Sequence, residues 1–97
     1  MEIKWNKVAI KQLLDAIKFI EENYFYSYAA ELERKILTRI KGLPANPNVY
    51  PLDKYRRKND GTYHAFEIDD YRVSYRSKKN EIRIVRVRHT SRKVRKY

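Results

Sequence analysis

Residues 71–97 read YRVSYRSKKNEIRIVRVRHTSRKVRKY, and this stretch decides the fold. Tyr71, Val73 and Tyr75 alternate with Arg72, Ser74 and Arg76, the two-residue period of a strand with one face in a core. Lys78-Lys79-Asn80 is a hairpin-like turn, and EIRIVRVRHT (81–90) is a second strand. Its phase is not clean. Ile82, Ile84, Arg86 and Arg88 fall on one side, and Arg83, Val85, Val87 and His89 on the other. Either a bulge shifts the register or both faces are partly covered. With Tyr71, Val73 and Tyr75 against a core, Arg72 points from the opposite, open face. Arg72→Ala is then expected to cost little stability, within the ~0.5 kcal/mol typical of surface changes.

Upstream, TYHAFEID (62–69) is a third strand candidate, joined to 71–77 by a turn near Asp70. Short connections make the three an antiparallel meander. Residues 44–62 hold all three prolines and one of the two glycines, and form a loop with a basic cluster at Lys54, Arg56, Arg57 and Lys58. Before the loop, Ser27 caps a helix with the stripe Ala29, Leu32, Ile36, Leu37, Ile40 and Leu43, stopped by Gly42 and Pro44. A first helix runs from Asn6 to Tyr24 with the stripe Ile10, Leu13, Leu14, Ile17, Ile20 and Tyr24. MEIKW (1–5) opens the chain as a short strand. The two helices form an antiparallel pair that covers one face of the sheet. The tail, 91–97, reads as a short helical turn or a loose end.

The 97 residues suit one domain, 1–97, with one modest core. The net charge of +11 is unevenly placed. Residues 1–49 have eight bases and six acids, 50–71 four and five, and 72–97 eleven and one. The excess in the last quarter attracts a polyanion. The absence of cysteine excludes disulfides and thiolate chemistry. No run has signal-peptide character, and none approaches the ~20 apolar residues of a membrane span, so a cytoplasmic protein without membrane partners is expected.

His64 and His89 are the only histidines, no acidic cluster resembles a metal cage, and neither a Gly-rich phosphate loop nor a serine-nucleophile motif occurs. No metal or cofactor is expected. Arginines with a histidine and tyrosines suit a polyphosphate chain. They also suit metal-free RNA cleavage, in which the 2′-hydroxyl attacks the adjacent phosphorus. Arg or Lys would stabilise phosphoryl charge, and His or Tyr would move a proton.

Trp5 in the opening strand, the two-helix hairpin, the L-x-x-x-P junction, YRVSY and IRIVRVRHTSRKVRKY together resemble the RelE/ParE superfamily of bacterial type II toxins. The resemblance covers essentially the whole chain. It implies an α+β fold: a small curved antiparallel sheet with an N-terminal strand and an antiparallel helix hairpin on one face. It implies catalytic roles for Arg72, Arg88 and His89. It places nucleic-acid contacts at Lys54, Arg56, Lys58, Arg76, Arg86, Arg92 and Lys93, with Glu67 and Tyr97 as further candidates. Tyr50 stands where some members carry a catalytic Glu before Pro51-Leu52. The superfamily divides between ribosome-dependent mRNA endonucleases and DNA gyrase inhibitors that lack the nuclease residues. Tail charge and His89 favour the nuclease here, with gyrase inhibition as the alternative. The expected partners are a cognate antitoxin, and the ribosome with mRNA or else gyrase.

Overall fold

The computed structural model describes residues 1–91 and 95–97. Strand β1 (Glu2–Trp5) leads into helices α1 (Lys7–Asn23) and α2 (Tyr26–Gly42) and a short 3-10 turn, Leu43–Ala45. Strands β2 (Tyr63–Ile68), β3 (Tyr71–Lys78) and β4 (Glu81–His89) follow. The sheet order is β1-β4-β3-β2. The meander is antiparallel as its short turns require, whereas β1 pairs with β4 in parallel. The sheet is therefore mixed: the helix hairpin carries the chain across one face and returns it on the far side of β3.

Both hairpin turns have positive φ at their two central residues, Asp69-Asp70 and Lys79-Asn80. Two-residue hairpins favour that geometry because it matches the twist of the strands.

A bulge resolves the ambiguous phase of β4. Ser74 opposes Arg86 while Tyr75 opposes Ile84, leaving Val85 as the extra residue. Ile82, Ile84 and Val87 consequently all face the helices and are buried. Val73, Ile82 and Ile84 are fully buried, each contributing about 1.5–3 kcal/mol. A one-residue slip of β4 would turn Ile82 and Ile84 outward, so they fix the register.

The helices bury narrower stripes than their periodicity predicts. In α1 the sheet-facing residues are Ala9, Leu13, Ala16 and Ile20, while Ile10, Leu14 and Tyr24 are exposed, Leu14 by 59%. Two alanines at the contact let the helix approach the sheet closely, and that turns the bulkier neighbours to its flank. In α2, Ala29, Leu32, Ile36 and Ile40 are buried, and the helix begins at Tyr26, just before the expected Ser27 cap. Asn6 precedes α1 without a side-chain cap; its Oδ1 instead accepts from Arg83 Nη1 at 3.2 Å.

The loop after α2 is tied to the sheet edge. The Tyr75 hydroxyl donates to the Pro47 carbonyl at 2.8 Å, and His64 Nδ1 lies 2.9 Å from the Tyr50 carbonyl. A carbonyl only accepts, so Nδ1 carries the proton. Asp53 N–H donates to Tyr63 O, and Ala65 N–H to Pro51 O. These bonds bring residues 51–53 alongside β2 and deliver Asp53 to the sheet face away from the helices.

Candidate functional site

The bulge has a second effect. Before it, Glu81 and Arg83 oppose Lys78 and Arg76; after it, Arg86 and Arg88 oppose Ser74 and Arg72. All these side chains share the face away from the helices, which Glu67, opposite Arg72, also joins from β2. A regular strand would have put Arg83 and Arg86 on opposite faces.

Arg72 lies on the face expected for it, but that face is covered, and the expected surface character of Arg72 is corrected. It is 7% exposed, beneath the 53–57 loop and Tyr97. Its Nη1 donates to Glu67 at 2.9 Å and its Nη2 to Asp53 at 3.0 Å, while its guanidinium lies 4.9 Å from the centre of the Tyr55 ring. Burial works to lower its pKa, but the hydrogen bonds to Asp53 and Glu67 raise it above the ordinary arginine value.

Asp53 is the hub of the site and is 1% exposed. Its Oδ1 accepts from Arg72 and from the Tyr55 N–H at 3.1 Å; its Oδ2 accepts from the Tyr97 hydroxyl at 2.6 Å. Burial acts to raise its pKa, but the bonds from Tyr97, Arg72 and the Tyr55 N–H together hold it below its ordinary value.

Tyr97 closes the site. Its N–H donates to Tyr55 O at 2.9 Å, and its carbonyl accepts from Arg57 N–H at 2.8 Å. The guanidiniums of Arg88, Arg86 and Arg56 lie 5.0, 5.1 and 5.2 Å from its ring centre. Each such contact contributes about 0.5–1 kcal/mol, more where water is excluded. Burial, then the bond to Asp53, pushes its phenol up to about 12. Arg88 donates from Nη1 to Arg95 O at 2.9 Å, and burial lowers its pKa. Its Nε and Nη2 are buried without a hydrogen-bond partner among the described residues.

Arg56, Glu67, Arg72, Arg86, Arg88 and Tyr97 are thus brought together. His89 is not. Consecutive strand residues point to opposite faces, and His89 lies opposite Tyr71 on the helix side. Its ring stands edge-on to Tyr71 at 4.9 Å, and the Ser91 N–H donates to its Nδ1 at 3.1 Å. Lys54 and Lys58 lie exposed on the loop. Arg76 sits toward the β3–β4 turn, held by Thr62 and Asp60 at 3.0 and 3.2 Å. Arg92 and Lys93 fall outside the described residues.

Asp53 and Tyr55 are the residues that sequence reasoning missed. The available signal was an acid, in LDKYRRK (52–58), set among the loop's cations. An arginine in a strand that is buried on both faces requires a counter-ion from another element.

The fold is thus a small mixed sheet backed by a helix hairpin, with an arginine-rich outer face. The model of the ParE toxin of type II toxin–antitoxin systems, parDE, matches residues 3–94, and the chain belongs to that family. Two solved structures share the fold. A chain of the chromosomal ParDE system from P. aeruginosa is 19% identical with a TM-score of 0.72, and the match covers 92% of this chain and 95% of that one. The YoeB dimer from Staphylococcus aureus gives 17% identity and a TM-score of 0.59, with the same coverage, 92% and 95%. No curated protein matches the chain. As a toxin of a type II system, it has a cognate antitoxin as its partner.

Proposed function

We propose that this toxin acts on a protein target, DNA gyrase, in the cytoplasm, and does not cleave mRNA in the state described. The closure of Arg72 carries this reading. Metal-free RNA cleavage needs a phosphate-binding cation with a proton acceptor and a proton donor in reach of the same phosphate. Here both arms of Arg72 are occupied by Asp53 and Glu67. The Asp53 carboxylate is held by three donors, the Tyr97 phenol is committed to Asp53, and His89 lies on the other face. The preference for a nuclease in the sequence reading leaned on His89, and it weakens when His89 leaves the face. Membership of the ParE family points the same way.

One observation favours the nuclease reading. Displacing residues 95–97 would leave Asp53 and Arg72 beside Arg86 and Arg88, a set able to hold a phosphate and accept a proton. Inducing the chain in bacteria separates the two. The gyrase reading predicts relaxed plasmid and intact mRNA. New mRNA 5′ ends, with plasmid topology unchanged, would overturn it.

A further inference from the structure

The outer face of the sheet has a second half, below the Asp53 site and beside the β3–β4 turn. Arg76, Lys78, Lys79, Glu81 and Arg83 line a cavity there of about 240 Å³. Four cations meet one carboxylate. Arg83 is positioned by Glu81 at 3.0 Å and by Asn6 at 3.2 Å, and Arg76 by Asp60 at 3.2 Å. Lys78 and Lys79 are exposed and have no ion-pair partner among the described residues. Neither Tyr97 nor the 53–57 loop lines this cavity.

The turn itself is unusual. Lys79 has φ 52°, a left-handed conformation that Gly, Asn and Asp adopt readily and a long side chain does not. The other two-residue turn meets the same geometry with Asp69-Asp70. A lysine at this position is strained, and it adds a fourth cation to the cavity.

We propose that this cavity is a binding site for the phosphate backbone of double-stranded DNA. The toxin would then grip the DNA held by its target enzyme as well as the enzyme. The naming of duplex DNA rests on the gyrase reading; the polyanion site rests on the cavity. Two ammonium groups at the rim without ion-pair partners among the described residues, beside two guanidiniums already paired to Glu81 and Asp60, suit phosphates that are read by charge and not by base. An acidic peptide would also meet the charge. Guanidinium forks take carboxylates as readily as phosphates, so duplex is preferred here on the gyrase reading, and polyglutamate is the competing arm of the test.

The test is fluorescence anisotropy of a short labelled duplex with the whole chain across a salt series. The wild type is compared with Lys78→Gln/Lys79→Gln, whose side chains are exposed. The wild type should bind at low salt with a slope of log K against log salt of about −3 to −4, and the double variant should flatten the slope by about 2. Its Tm should be unchanged. Equal slopes for the two proteins would overturn the proposal, as would tighter binding to polyglutamate than to duplex. No duplex binding while gyrase is still inhibited would refute the DNA site and leave the target reading standing. Variant-sensitive duplex binding without gyrase inhibition would leave the site and remove the target.

Discussion

Arg72→Ala removes the guanidinium that both Asp53 and Glu67 hold. Glu67 is 55% exposed at its side chain and can turn to water, so its loss of partner costs little. Asp53 has no such escape, because its side chain is fully buried. Breaking a buried pair by deleting one partner costs about 3–5 kcal/mol. Tyr97 and the Tyr55 N–H still satisfy Asp53, which sets the expected cost near the lower end, about 3 kcal/mol. For a chain of this size that lowers Tm by roughly 12–24 °C. Urea unfolding followed by circular dichroism measures it. Arg72→Ala with Asp53→Asn, which removes the stranded charge, should recover part of the loss; additive losses would exclude a shared pair. A single variant that melts within ~0.5 kcal/mol of wild type would show that the closure of Arg72 is wrong.

Tyr97→Phe keeps the ring over three guanidiniums but deletes the bond to Asp53, and should cost about 2 kcal/mol in urea unfolding. The folded-state pKa of Asp53 lies below its ordinary 3.8. Its contribution to stability is therefore complete above that value and lost as pH falls below it; Asp53→Asn should abolish that part of the acid transition in thermal melts. Tyr97 shows the opposite sign. With its phenol raised to about 12 from 10.0, it stabilises below pH 10 and loses that contribution as pH rises toward 12, which ultraviolet titration of tyrosinate should detect. His89→Ala should leave growth arrest unchanged, since the ring touches Tyr71 and Ser91 away from the arginine face; a non-toxic, well-folded variant would return His89 to the site.

Much of the fold is legible because its signals are local. Alternation in 71–77, the turn at 78–80 and the helical stripes follow from neighbours a few residues apart. Direction is not local, and the parallel pairing of β1 with β4 depends on where the helix hairpin returns the chain. The bulge at Val85 was visible as a broken phase, but its position was not. Two alternative strand phases place Arg86 with either Ile84 or Arg83, and only packing against α1 chooses. The site was half legible. Arg72, Arg86 and Arg88 follow from strand phase once the bulge is fixed. Asp53 and Tyr97 reach them from 19 and 9 residues away from Arg72 and Arg88, through a loop and a tail whose paths no short-range pattern encodes. The two faces of Arg88 and His89 were legible from strand geometry alone, and the family's pairing of those positions obscured it.

Wild-type chain mixed with DNA gyrase, relaxed plasmid and ATP should block supercoiling, with release by the antitoxin. The same preparation on programmed ribosomes should leave mRNA uncut. Unimpeded supercoiling, together with mRNA cleavage that depends on Arg72, would contradict the gyrase reading.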